Sequence, residues 1–158
     1  MPRRSGYPAT VAEILDFAMT FRPAALRAVR KFAKEKPWRG ELARRVELFR
    51  TLNAELAAAY EIAAPILNMD GVGEGDSGAS SYCPANHTIS LRGRLSVVTF
   101  LHEFGHSRGM GERGATKFSV NLFRRCFPRS YAQAVADGHC LRRAPDPPAD
   151  PESPPSGE

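Results

Sequence analysis

The stretch Thr99–Phe123, TFLHEFGHSRGMGERGATKFSVNLF, decides how this chain reads. His102 and His106 stand four residues apart, with Glu103 directly after the first. A helix turns about 100° per residue, so positions i and i+4 share a face. Two imidazoles so placed can reach one cation. That is the chemical content of an HExxH pattern: two neutral nitrogens on zinc, and a glutamate beside them as general base toward the attacking water. Glu103 lies about 100° round the helix from His102, which removes it from the ligand pair and leaves it near that water. It would then hand the proton to the leaving amine. The surrounding residues favour a buried helix. Leu95, Val98, His102 and His106 recur at helical spacing, and Val97, Phe100, Leu101 and Phe104 cover the adjoining faces. Gly105 costs about 1 kcal/mol against alanine inside a helix, so its presence points to a neighbour that needs the room.

A catalytic zinc takes three protein ligands and keeps one open position. Glu112, six residues after His106, is the nearest residue of suitable chemistry. Gly109 and Gly111 permit the turn that would bring the chain back toward the metal. Glu112 also opens the next helix, where a carboxylate suits the helix dipole without any metal. His139, beside Cys140, and Asp76 are the other candidates for the third ligand.

Working outward, the preceding segment reads as strands and turns. APILNMD is a short apolar run bounded by turn residues, and SSYC-PANH-TISLR reads as a hairpin just ahead of the HExxH helix. Between them, GVGEGDSGAS is rich in glycine but lacks the lysine of a phosphate-binding loop. The first third is helical by pattern. Thr10 and Glu13 form a capping box ahead of Val11, Ile14, Leu15, Ala18 and Phe21. A second helix starts at Pro23. A third starts near Glu41, carries Phe49, Leu52, Leu56 and Tyr60, and ends before Pro65. Beyond the motif, Ala115, Phe118, Leu122 and Phe123 mark another helix closed by Pro128, and SYAQAVADGHCL a last helical stretch. The expectation is an α+β fold, with N-terminal helices packed on a small β-sheet and the HExxH helix beneath it. It forms a single domain over residues 1–143, helical over 8–63 and catalytic over 64–143. Residues 144–158 hold six prolines and no large apolar residue, and read as a disordered tail.

Composition narrows the class. Of 158 residues, 42% are hydrophobic and 25% charged, ordinary values for a globular chain. All 22 Lys and Arg, but only 13 of the 17 acidic residues, lie before Ala144, so residues 1–143 carry about +9. Such a balance permits contact with nucleic acid or an acidic partner. Three scattered cysteines argue against a disulfide framework and for a reducing compartment. No signal-like segment opens the chain and no apolar run approaches the roughly 20 residues of a membrane span. A cytoplasmic protein without membrane contact is expected.

LHEFGH followed by ERGATKFSVNLF resembles the ImmA/IrrE family of zincin-type metallopeptidases. In that family an HExxH helix precedes a helix with a Glu-x-x-Ala-(Asn)-x-Phe-(Ala) pattern. Glu112, Ala115 and Phe118 fall on it, while Thr116 and Ser119 stand where Asn and Ala are usual. The spacing from His106 to Glu112 is shorter than is usual there. The extended string HExxHxxGxxE is also similar to the metzincin pattern, with Glu112 in place of its last histidine and no Met-turn evident downstream. The resemblance covers roughly residues 79–128. It implies His102, His106 and Glu112 as zinc ligands and Glu103 as general base. It also implies a short proteolytic regulator acting on a protein or peptide substrate such as a transcriptional repressor.

Supporting roles are less determined. In zincins an edge strand beside the active helix holds the substrate by main-chain hydrogen bonds, and the hairpin is the candidate here. Tyr82, His87, Tyr131 and His139 have the chemistry to steady an oxyanion. Cys83 is either a core residue or a thiolate inhibitor of the metal. NLFRRCFPR, with Arg124, Arg125 and Arg129, is either a solvated basic face or a contact for nucleic acid. The principal expectation is a zinc metalloendopeptidase. The alternative is a zinc-binding regulatory or nucleic-acid-associated protein without peptidase activity.

Overall fold

The computed structural model describes residues 14–73 and 79–136. Its elements in chain order are helices α1 (Pro23–Lys34) and α2 (Leu42–Ala59), strands β1 (Ile66–Val72), β2 (Ser81–Cys83) and β3 (Thr88–Gly93), and helices α3 (Val97–Ser107), α4 (Glu112–Cys126) and α5 (Pro128–Ala136). This is an α+β arrangement with a small mixed sheet and the HExxH sequence on α3. The Thr10–Glu13 capping box, Asp76, His139, Cys140 and the proline-rich tail lie outside the described residues.

The sheet has the order β1-β3-β2. β2 and β3 form the expected antiparallel hairpin, with Tyr82 opposite Ile89. β1 runs parallel to β3, Leu67 opposite Ile89, so the hairpin's second strand becomes the sheet's centre. Leu67, Met69, Ile89 and Leu91 alternate onto one face and are buried there. β2 is left as an edge beside α3.

Aromatic rings join the helices beneath that face. Phe32 of α1 meets Phe49 of α2 edge-on at 5.0 Å, and Phe49 meets Phe100 of α3 at 5.8 Å. Phe104 of α3 lies over Phe118 of α4 at 6.5 Å. The α1, α2, sheet, α3 and α4 residues form one continuous core, so the HExxH helix is held on several sides.

The helix expected over residues 10–21 does not continue past Ile14. Asn121 of α4, fully buried, donates from Nδ2 to the Ile14 carbonyl (2.9 Å) and accepts the Asp16 N–H on Oδ1 (2.9 Å). Asp16 in turn accepts the Ala18 N–H on its own carboxylate, closing a turn. Backbone groups that a helix would use internally are taken by α4 instead, and Phe17 is left 73% exposed. α2 ends at Ala59, ahead of Pro65 as expected, with Tyr60 as C-cap and Glu61 at a φ of 57° just beyond it. α3 begins at Val97, where Ser96 caps it by accepting the Thr99 N–H on Oγ.

Candidate metal centre

α3 carries His102 and His106 on one face, and their Nε2 atoms approach to 3.1 Å. How the chain leaves α3 brings in the third group. Gly109, at a φ of +94°, donates its N–H to the His106 carbonyl, and Met110 donates its own to the Gly105 carbonyl. This is a Schellman ending, in which the left-handed residue is normally glycine. It folds the chain back at once, and Gly111 then serves as N-cap of α4 with an ordinary φ of −78°. Only Gly109 of the two loop glycines needs glycine's conformational freedom. Glu112 follows as the first residue of α4.

The Glu112 carboxylate spans the histidine pair. Oε2 lies 3.2 Å from His102 Nε2, and Oε1 lies 3.2 Å from His106 Nε2. His102, His106 and Glu112 are the metal-ligating group found among the described residues. His106 Nδ1 lies 2.9 Å from the Met110 carbonyl, which can only accept, so Nδ1 carries the proton and Nε2 presents a lone pair toward the other ligands. Thr116 Oγ1 stands 3.4 Å from His102 Nδ1, a long contact in which the hydroxyl can accept from or donate to the ring. Burial holds His102 below the ordinary imidazole range; Glu112 opposes that shift and His106 adds to it. Two imidazole lone pairs and a carboxylate all facing inward repel one another unless a cation or a shared proton lies between them. Ligands about 2.0–2.1 Å from a tetrahedral zinc sit about 3.3 Å apart; the two imidazole nitrogens are 3.1 Å apart, and one ligand atom from each of the three residues lies within 4.8 Å of the others. The donor set therefore fits a zinc ion.

Glu103 points elsewhere on α3 but borders the same cleft. This opening of about 560 Å³ is lined by both histidines, Glu103, Glu112, Met110 and the β2 residues Ser81 and Tyr82. Glu103 is only 8% exposed. Burial pushes its carboxyl above the ordinary range; His106 opposes that and Glu112 reinforces it. Such a carboxylate is a stronger base than one in water.

No family model, curated protein or solved structure matches the chain. What is known of the site therefore rests on this geometry, a zincin-like HExxH arrangement with a distal glutamate.

The closeness behind it is set at Gly105. A Cβ there would lie 3.1 Å from Ala115 Cα, 3.2 Å from Ala115 Cβ and 3.3 Å from Phe118 Cδ2. α4 thus packs against α3 where only a hydrogen fits, as the glycine in the motif leads one to expect.

Of the four residues considered for oxyanion contact, Tyr82 lines the cleft. Its hydroxyl is 2.6 Å from His87 Nδ1, and His87 Nε2 is 2.8 Å from the Ala63 carbonyl. His87 therefore donates from Nε2 and accepts the Tyr82 proton on Nδ1, leaving both of its nitrogens engaged. Tyr131 packs against the core. Cys83 is exposed at the sheet edge, and Cys126 is buried with its thiol pushed up by that burial. Arg124 lies over the Phe17 ring and Arg125 over Phe21, so these two basic side chains have partners within the fold. Among the described residues no helix is long and apolar enough to cross a membrane.

Thr116 and the Met110 carbonyl are contributions that the sequence reading did not single out. Gly109, three residues after His106, is the one signal for the second, because a glycine there announces a Schellman turn.

Proposed function

We propose that this protein is a zinc-dependent metallopeptidase that hydrolyses peptide bonds, with Glu103 as general base. The observation that carries the reading is the convergence of His102, His106 and Glu112 beside a cleft that also holds Glu103. The ligand side chains keep solvent access, 19% and 23% for the histidines and 43% for Glu112. A structural zinc site is typically closed by four protein ligands, whereas three ligands at an open cleft are the catalytic pattern.

His102 and His106 bind as neutral imidazoles, their orientation supported by Thr116 and the Met110 carbonyl. Glu112 supplies the one anionic ligand. Bound zinc would contribute Lewis acidity and a lowered pKa for water. Glu103 takes the proton from the attacking water, and its buried, raised pKa suits it to return that proton to the leaving amine. β2 offers main-chain groups on the side not paired to β3, and a peptide laid along it would sit over the cleft. The likeness to the ImmA/IrrE family extends the proposal to a cytoplasmic regulator whose substrate is a protein such as a transcriptional repressor.

The test is Glu103→Gln. The variant should keep wild-type zinc content and lose turnover of an unstructured protein substrate such as casein. Turnover retained in a variant free of wild-type enzyme overturns the mechanism.

A further inference from the structure

Behind the Gly109–Gly111 turn lies a second cavity, of about 370 Å³. Met110 lines both this cavity and the metal cleft, so one loop separates the two. Its walls are apolar at Phe21, Phe118 and Met110, and its polar side chains are those of Arg22, Arg108, Tyr60 and Thr20.

The guanidiniums share a ring. Arg108 lies 3.7 Å from the Tyr60 centroid and 5.2 Å from that of Phe118, while Arg22 lies 5.5 Å from Tyr60. Stacking fixes the plane of the Arg108 group but uses none of its five N–H donors. Among the described residues the Arg108 guanidinium has neither a hydrogen-bond partner nor a carboxylate partner, while its backbone N–H is used to end α3. Arg22 does have both: Nη1 donates to the Ala59 carbonyl at 3.0 Å and meets Glu61 at 3.2 Å. Glu61 is 82% exposed on its side chain, so it offsets little of the charge. Two like charges beside one aromatic ring, one of them uncompensated and partly buried, leave the cavity positive with its donors unused.

We propose that this cavity binds a carboxylate carried on a single apolar residue, held by Arg108 and Arg22 with its apolar part against Phe21, Phe118 and Met110. A planar carboxylate matches the guanidinium fork, and the volume falls in the range of ordinary ligand pockets, with room for one residue. Both an N-acylated amino acid and the C-terminus of a peptide carry this group. The site does not depend on the hydrolytic reading, because the two arginines that hold the carboxylate are not metal ligands; of its lining only Met110 also borders the metal cleft.

Calorimetric titration of the zinc-loaded protein tests it, with N-acetylphenylalanine against N-acetylphenylalaninamide. The acid should bind at least tenfold more tightly. Arg108→Gln should bring the acid down to the amide's affinity and leave the amide unchanged, with zinc content and circular dichroism as for wild type. A carboxylate held on zinc would survive that substitution, and such survival overturns the proposal. So do equal affinities for acid and amide, or no binding of either. If Arg108→Gln does not fold, Arg22→Gln should weaken the acid at least threefold without affecting the amide, and no change there overturns the proposal too. Inorganic phosphate should fail to compete at equal concentration; equal competition overturns the apolar half of the site. Ala-Ala-Phe with a free C-terminus separates the sources. Affinity equal to that of N-acetylphenylalanine supports a peptide terminus, and loss of it supports a small free acid.

Discussion

Replacing Gly105 by alanine sets two effects of similar size against each other. Inside an exposed helix the change is favourable by about 1 kcal/mol, because glycine loses more chain entropy on folding. Here the new methyl would meet three atoms of α4 at 3.1–3.3 Å, one of them the Ala115 backbone. Ordinary carbon contacts run from about 3.5 to 4.0 Å, so α4 must retreat by roughly 0.2–0.4 Å at the least. Overpacking of this kind costs about 1–3 kcal/mol, and the backbone cannot rotate away as a side-chain tip would. The net expectation is a loss of about 1 kcal/mol. The functional consequence is more specific. α3 carries the histidines and α4 begins with Glu112, so any widening at Gly105 acts on the triad itself. Zinc affinity should fall about tenfold, the lower end for disturbing the support of a metal ligand. Urea denaturation in the presence of a chelator reads the first effect, and competition with a chromogenic zinc chelator reads the second. A variant about 1 kcal/mol more stable than wild type, with unchanged zinc affinity, would refute the argument that α3 and α4 are in their closest contact here.

Gly109→Ala faces no crowding but must adopt a φ of +94°, so it should lose about 1–2 kcal/mol and weaken zinc binding by displacing the Met110 carbonyl; chelator competition at unchanged affinity would contradict this. Thr116→Val removes the oxygen facing His102 Nδ1 and should lower zinc affinity by up to about tenfold while leaving the fold intact by circular dichroism. Glu103→Gln should raise stability in the metal-free protein at neutral pH and not at acid pH. Burial raises the folded-state pKa, so below the unfolded value of 4.5 both states are protonated and the two proteins are alike. As pH rises through that value the unfolded wild-type carboxyl ionises first, and its stability relative to Gln falls until the folded group ionises as well. Urea midpoints from pH 3.5 to 8 that run parallel for the two proteins would contradict this. Cys83 should react quickly with a thiol reagent and Cys126 only on unfolding, as peptide mapping of the labelled protein will show.

Much of the site could be read from side-chain spacing alone, because its decisive relationships are local. His102 and His106 are one helical turn apart, and Glu112 is six residues on, across a turn that Gly109 announces. Gly105 was informative for the same reason, as an unfavourable residue in a favourable helix. What escaped the reading depends on distant partners. Asn121 takes the Ile14 carbonyl and the Asp16 N–H, more than a hundred residues away in sequence, and no helix runs on from there. The parallel pairing of β1 with β3 follows from tertiary packing, and no turn signal between adjacent strands encodes it. Thr116 reaches His102 only because α4 crosses α3 at Gly105, and the Met110 carbonyl is a backbone group with no residue-type signature. The Arg22–Tyr60–Arg108 cluster likewise draws on three separate segments.

Metal content bears most directly on the central claim. Elemental analysis of protein loaded with zinc and dialysed to equilibrium should give one zinc per wild-type chain, and near none in His102→Ala, His106→Ala or Glu112→Ala. A full equivalent retained by each of the three variants would mean that these side chains do not jointly hold the ion.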